Sequence, residues 1–274
     1  MLRIFVLLFF PILFVGSCTK GDYQFESVPE KNTAMEVVFA TNFFGSIFNR
    51  THIEFSQVEK EQGWNEAIGQ INSSTDPCAE IEYHVDTVNY YIAQLIITYP
   101  ESGCISSGKK KAGKLKIYSS GNLFADKTEM TIIPERFYIN DKKVEGTIKL
   151  KNKGFNEDSL FVITQQVLDG KICLNSSRFF TWGSEDKFEL DFVNRVMLLD
   201  KTVEALDRNG RAYSITTSEQ LMSDFDCPYI QSGELKLNTS WGAVERLSFG
   251  TGECDNEALL KKEGESVSLQ LDED

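Results

Sequence analysis

Hydrophobic and polar residues follow a strand-like pattern over most of the chain. In its C-terminal two thirds, runs rich in β-branched and aromatic residues, of which Tyr90–Tyr99 is the clearest, alternate with short polar segments. Asn140-Asp141, Asp169-Gly170 and Asn209-Gly210 are pairs that tolerate the positive φ of tight hairpin turns. Strands joined by such turns are antiparallel. We therefore predict a mainly β fold built from antiparallel hairpins over residues 76–274, either as one sandwich or as two sheets in tandem.

A different periodicity precedes the strands. Apolar residues recur at helical spacing between Met35 and Phe48, and Thr33 is placed to cap the N-terminus of such a helix. Residues Glu59–Gln70, around Trp64, are a candidate for a second helical piece. The pattern predicts a short helical N-terminal segment over residues 31–75.

The first residues have the pattern of an export signal. Arg3 precedes the apolar run Ile4–Val15, which is shorter than the roughly 20 residues that span a bilayer. The run ends in Val15-Gly16-Ser17-Cys18, which resembles a bacterial lipobox. We predict a signal peptide over residues 1–17, lipidation of Cys18 and a tether over residues 18–30; the alternative is an ordinary signal peptide with an incidental cysteine.

The expected location is the outer membrane, to which the N-terminal lipid anchors the protein. Thr19 follows Cys18, and this does not resemble an inner-membrane retention signal led by Asp. The periplasmic and the surface face of that membrane both stay open.

Cysteine spacing indicates an internal repeat. Cys104 follows Cys78 by 26 residues, and Cys254 follows Cys227 by 27. An aromatic residue, Tyr99 or Phe249, lies five positions before the second cysteine of each pair, and a Lys pair and a glycine follow it. We interpret residues 78–118 and 227–271 as two diverged copies of one unit.

An exported chain meets an oxidising compartment, so the cysteines are expected to pair. The simplest pairing is Cys78 with Cys104 and Cys227 with Cys254, although four cysteines permit three connectivities. Cys173 is then left over, and we expect a buried thiol in a strand.

Composition argues against several functions. The net charge of −13 disfavours nucleic acid, which is bound by excess cations, and two histidines are few for His-based catalysis or zinc binding. The sequence predicts no catalytic residues, no metal site and no cofactor, and hence a protein that is not an enzyme.

Two sets of residues are candidates for ligand contact. Trp182 and Trp241 lie at strand ends, where they are either a sugar-stacking platform or part of the core. The densest carboxylates are Glu185, Asp186, Glu189 and Asp191, which are either a hydrolase's acid pair or a solvated strand face.

Several stretches resemble a bacterial lipoprotein family of the Bacteroidota type. The matching segments are Gly103-Cys104 with Gly113-Lys114, Phe137–Thr147, Ser177-Arg178 before Trp182, Asp207–Tyr213, and Phe249-Gly250-Thr251-Gly252-Glu253-Cys254-Asp255-Asn256. In that family the middle turn usually has Gly and Tyr where this chain has Asp141 and Lys142. The resemblance covers roughly Cys78 to Leu271 and implies a strand-rich envelope lipoprotein without implying an activity.

The expected function is that of a lipid-anchored envelope lipoprotein, a non-catalytic structural or interaction module. Its expected partners are the membrane, through the lipid, and an envelope protein or a glycan. The alternatives are a surface glycan- or ligand-binding lipoprotein and, less favoured, a hydrolase.

Overall fold

The computed structural model describes residues 29–62, 68–71, 76–86, 92–106, 108–121, 124–227, 229–240, 244–262 and 265–271. These residues form one helix and fourteen strands. The helix α1 spans Pro29–Gln62. The strands are β1 (Ile68–Ile71), β2 (Glu80–Asp86), β3 (Ile92–Ser106), β4 (Lys109–Ser119), β5 (Glu129–Ile139), β6 (Lys142–Phe155), β7 (Phe161–Cys173), β8 (Phe179–Asp191), β9 (Val196–Leu206), β10 (Ala212–Asp224), β11 (Ser232–Thr239), β12 (Glu245–Thr251), β13 (Glu257–Lys262) and β14 (Glu265–Gln270).

All fourteen strands belong to one open antiparallel sheet. Each strand pairs only with its neighbours in sequence, so the order across the sheet is β1 to β14 without a crossover. The mainly β, antiparallel prediction is confirmed. The described strands form one continuous meander and not two sheets in tandem, because every connection leads into the adjacent strand.

Successive connections lie at opposite ends of the sheet, as antiparallel pairing requires. The β3–β4, β5–β6, β7–β8 and β9–β10 turns share one end, and the β4–β5, β6–β7, β8–β9 and β10–β11 connections share the other. Two of the predicted hairpin turns are confirmed. Asn140 and Asp141 turn the chain between β5 and β6 with φ of 47° and 61°, and Asn209-Gly210 lies between β9 and β10.

The third predicted hairpin is wrong. Asp169-Gly170 lies inside β7, where the pairing with β8 shifts register between Val167 and Gly170. Asp169 has a φ of 51°, so the positive φ that the residue pair tolerates is used for a β-bulge instead of a turn.

The helix packs on the core-facing side of the sheet. Ala34, Val37, Phe44 and Ile47 are buried in the same apolar cluster as the strand side chains. The Phe44 ring stacks on Trp182 of β8 at 6.4 Å. Because the helix offers the apolar stripe that its spacing predicted, one core forms between helix and sheet.

The bounds of the helical segment need correction at both ends. The helix begins at Pro29, inside the predicted tether, and Thr33 is a buried residue of its second turn rather than the cap. Proline suits the first turn because its missing N–H has no intrahelical partner there. At the other end, residues 68–71 of the predicted 31–75 segment form β1, because pairing with β2 outweighs local helical preference.

The two predicted disulfides are present. Cys78–Cys104 and Cys227–Cys254 each have a Cα–Cα distance of 5.7 Å, and the first lies near the β3–β4 end while the second lies at the opposite end. Both repeat copies place two strands between their cysteines, and Tyr99 and Phe249 are both buried. The expectation for Cys173 is wrong in one respect. This residue is buried as predicted, but it is disulfide-bonded, and the other half of that bridge lies outside the described residues.

Candidate functional site

A cluster of phenylalanines lies at the sheet end formed by the β4–β5, β6–β7, β8–β9 and β10–β11 connections. Each ring contacts at least one other ring, with centroid distances between 5.1 and 6.1 Å. Phe161 is buried and contacts three of the others. We call this cluster the aromatic surface; it consists of Phe124, Phe155, Phe161, Phe192 and Phe225.

The outer rings of the aromatic surface are open to solvent. Phe155 is 67% exposed and Phe192 is 46% exposed, while the adjacent Val193 is 91% exposed. Single exposed apolar residues are normal on proteins, but a contiguous exposed patch marks an interaction site. The aromatic surface is contiguous, because its rings contact one another.

Side-chain hydrogen bonds hold the turn that carries Phe192. Asp191 accepts hydrogen bonds from the backbone N–H groups of Val193 and Asn194 through Oδ1, both at 2.9 Å, and from Asn194 Nδ2 through Oδ2 at 2.7 Å. These bonds, led by the backbone N–H of Asn194, lower the pKa of Asp191. The turn is therefore braced by a carboxylate that stays ionised at neutral pH.

The turn beside Phe155 is braced in a similar way. Asn156 Oδ1 accepts from the backbone N–H groups of Asp158 and Leu160, at 3.1 and 2.9 Å. Its Nδ2 donates to Glu189 Oε1 at 2.9 Å. Rings on turns fixed in this way lose little conformational entropy when a partner binds.

The rim of the aromatic surface is polar and, on one side, acidic. Glu157 and Asp158 are exposed beside Phe155. On the other side, Arg195 lies over the Phe225 ring and makes an ion pair of 2.8 Å with Asp226. An apolar centre with a polar rim is the usual anatomy of a protein interface.

The predicted stacking residues do not form this site. Trp182 is 1% exposed in the core against Phe44, so it offers no ring to a ligand at the surface. The other candidate, Trp241, lies outside the described residues. The sequence reasoning missed the phenylalanines, although Phe155 and Phe192 each directly precede or follow turn residues, which was the available signal.

The candidate carboxylates differ in their surroundings: Glu185 is exposed on β8, whereas Asp186 and Glu189 are buried and make structural contacts. Glu189 is buried and accepts hydrogen bonds from Lys187 Nζ at 2.7 Å, Asn156 Nδ2 at 2.9 Å and Gln220 Nε2 at 3.1 Å. These contacts, chiefly that with Lys187, lower its pKa. A glycosidase acid needs the opposite shift, so Glu189 is unsuited to that role.

Within the described residues, no group of three or more His, Cys, Asp or Glu side chains is arranged to hold a metal ion. In the same part of the chain, no helix combines the length and apolar character needed to cross a bilayer.

A cavity of about 450 Å³ lies over β12, β13 and β14, lined by Arg246, Lys261, Lys262 and Glu265 among others. Its cations are partly neutralised, since Arg246 pairs with Glu234 and Lys262 pairs with Glu245. The cavity therefore offers less net positive charge than its residues suggest.

Comparisons of the chain with protein-family models, curated proteins and solved structures return no match. The resemblance to a lipoprotein family therefore stays a prediction from the residues quoted above.

Proposed function

We propose that this protein is an exported, lipid-anchored envelope lipoprotein and that it acts as a non-catalytic interaction module. The observation that carries the proposal is the aromatic surface, in which exposed phenylalanines sit on braced turns at one end of the sheet. A solvent-exposed patch of this kind costs solubility unless a partner covers it.

Export is supported by the N-terminal sequence and by the disulfides. The apolar run Ile4–Val15 ends at the lipobox-like segment before Cys18. The bridges Cys78–Cys104 and Cys227–Cys254 suit an oxidising compartment and would be rare in a cytosolic chain.

The partner that fits the aromatic surface is a protein with an apolar centre and a basic rim. Phe155 and Phe192 provide the apolar contact, and Glu157 and Asp158 supply unbalanced negative charge beside them. The net charge of −13 on the whole chain steers cationic partners in the same direction.

Photo-crosslinking in intact cells tests this proposal. A photoreactive phenylalanine analogue replaces Phe155 in one strain and Ile105 in another. Ile105 is a matched control because it is 73% exposed but lies near the opposite end of the sheet. We expect a discrete crosslinked protein at Phe155 alone, and we expect Phe192→Ser to abolish it; no crosslink at Phe155, or equal crosslinking at both positions, would overturn the proposal.

The proposed lipid anchor restricts the disulfide bonding of Cys173. A sulfur that carries a thioether-linked lipid cannot also enter a disulfide, and four cysteines are already paired with one another. If Cys18 is lipidated, the disulfide of Cys173 in the mature protein joins it to another chain. The disulfide of Cys173 therefore bears directly on the proposed lipid anchor. Identifying the bonding partner of Cys173 tests whether the anchor is present.

Mass spectrometry of the protein purified from membranes determines whether Cys18 is lipidated and what Cys173 is bonded to. We expect an acylated peptide that begins at Cys18, together with a Cys173 peptide that reduction releases from a second chain. An unmodified Cys18 linked to Cys173 would refute the anchor while leaving the aromatic surface untouched.

Glycan binding is a second candidate for the same surface. The exposed Phe155 ring lies beside the carboxylates of Glu157 and Asp158, an aromatic and acidic combination that suits sugar stacking and hydroxyl contacts. A glycan array probed with the wild-type protein and with Phe155→Ser separates the candidates. Hits that the substitution removes favour a glycan, and an empty array favours a protein partner.

A further inference from the structure

A row of polar side chains crosses the apolar core at the centre of the sheet. Gln165 on β7, Asp186 on β8 and Lys201 on β9 are direct cross-strand partners. The Asp186 side chain is 0% exposed and that of Lys201 is 1% exposed. Buried carboxylates and ammonium groups are rare because removing a charge from water is costly.

The layers on both sides of this row are largely apolar. Ile163, Phe188 and Leu199 form one neighbouring layer in the same register, and all three are buried. Val167 and Val203 lie in the layer on the other side, together with Ser184. The pair is therefore held in surroundings that favour neutral over charged groups.

The two carboxylate oxygens of Asp186 differ in their hydrogen bonding. Its Oδ2 is 2.7 Å from Lys201 Nζ and also accepts hydrogen bonds from Gln165 Nε2 at 3.0 Å and Ser184 Oγ at 3.3 Å. Its Oδ1 is buried and has no hydrogen-bond partner among the described residues, and the same holds for Gln165 Oε1. Oδ2 therefore accepts from three donors, whereas Oδ1 accepts from none among the described residues.

We propose that Lys201 and Asp186 are joined by an isopeptide bond in the mature protein. In the first step a proton passes from the ammonium to the carboxylate, which gives a neutral amine nucleophile and a neutral acid. The Lys201 nitrogen then bonds to Asp186 Cγ, the C–Oδ1 bond breaks, and Oδ1 leaves as water with two of the three ammonium protons. The ion pair becomes one amide and one water, so no other reactant is needed.

The neighbouring groups suit this step. Gln165 Nε2 and Ser184 Oγ donate to Oδ2, the oxygen that becomes the amide carbonyl, and would stabilise negative charge on it during the attack. Oδ1, the leaving oxygen, is the one that no donor holds. Gln165 Oε1 is left in the cluster as an acceptor.

A second pair in the same protein is the control. Lys111 Nζ lies 2.8 Å from Asp76 Oδ2, a nearly equal distance, but the Lys111 side chain is 17% exposed. Asp76 also accepts hydrogen bonds from the Cys78 backbone N–H and the Tyr99 hydroxyl. Water reaches this pair, so the charged form is stabilised and we expect no amide there.

Peptide mapping of the full-length protein tests the proposal. After reduction, alkylation and tryptic digestion, we expect Phe179–Lys187 linked to Val196–Arg208, with a mass lower than the sum of the two peptides by one water. The bond would block cleavage after Lys201, and Lys201→Arg would restore the separate peptides. No species should link Lys111 to Asp76.

Recovery of Phe179–Lys187 as a separate, unmodified peptide from most of the folded wild-type protein would overturn the proposal and leave an ion pair only. This outcome is read from the wild-type protein, so it holds even if Lys201→Arg fails to fold. The isopeptide bond does not depend on the aromatic surface or on the anchor, and its failure would leave the proposed function standing.

Discussion

Glu36 makes the stability of this protein dependent on pH in the neutral range. It lies on α1 with its side chain 1% exposed, and its Oε1 accepts a hydrogen bond from Arg208 Nε in the β9–β10 turn. Burial raises its pKa from 4.5 to about 7, against the opposing effect of Arg208, and the nearby Asp207 raises it further. Tyr213 lies close by, but burial raises its pKa well above 10, so it stays neutral in this range.

The sign of the effect follows from proton counting. Between pH 4.5 and about pH 7 the folded chain holds a proton on Glu36 that the unfolded chain has lost. The free energy of unfolding therefore falls as the pH rises through this window, and the contribution is fully favourable only below pH 4.5. A rise from 4.5 to about 7 corresponds to about 3 kcal/mol in total, or at most about 1.4 kcal/mol per pH unit.

Urea unfolding of the wild type and Glu36→Gln at a series of pH values from about 4 to 8 measures this slope. Gln is uncharged at every pH, so we expect the variant to lack the decline that the wild type shows. The comparison uses slopes and is insensitive to the constant cost of the altered contact with Arg208. Parallel profiles for the two proteins would refute the assignment of the titration to Glu36.

Three further changes have defined outcomes. Replacing Cys227 and Cys254 together with Ala opens a loop of 27 residues and should lower the free energy of unfolding by about 3.5 kcal/mol in urea titrations; an unchanged midpoint would contradict this. Gly113→Ala would place a Cβ 1.9 Å from the Arg136 carbonyl oxygen, whereas Gly108→Ala, also at positive φ, meets nothing within 4 Å, so thermal unfolding should show the first variant about 2 kcal/mol less stable than the second. Burial opposes ionisation of Asp76, but hydrogen bonds led by that from Lys111 lower its pKa from 3.8 to about 2, so Asp76→Asn should cost about 1 to 2 kcal/mol at neutral pH. That cost should shrink as the pH falls from 3.8 towards 2, because the wild type loses the same contribution there, and a cost independent of pH would disprove the assignment.

The sequence predicted the elements whose signals are local. Tyr90–Tyr99 was recognisable as strand-like from its composition, and Ile92–Tyr99 lies in β3; the turn at Asn209-Gly210 was recognisable from its residue pair. The disulfides were predictable because two nearly equal cysteine spacings, of 26 and 27 residues, shared the same sequence surroundings. The β-bulge at Asp169-Gly170 was not predictable, because the residues that permit a hairpin turn also permit a bulge. Only the pairing of β7 with β8 decides between the two.

The candidate site depended on contacts that a linear pattern does not contain. Phe155 and Phe161 both flank the β6–β7 turn, yet one is exposed and the other buried. The charged run Glu185-Asp186-Lys187 has no apolar member to mark its inward face, so the burial of Asp186 could not be read from alternation. In both cases the neighbouring strands determine which side chain meets water.

The meander has a consequence for the order in which the chain assembles. Strands that pair only with their neighbours in sequence close short loops, so the sheet can grow one hairpin at a time in chain order. The contacts of α1 are different: the hydrogen bond between Arg208 and Glu36 joins residues 172 positions apart. The helix is made first but lacks part of its set of neighbours until β9 and the β9–β10 turn have formed, so its apolar stripe stays uncovered during most of the assembly.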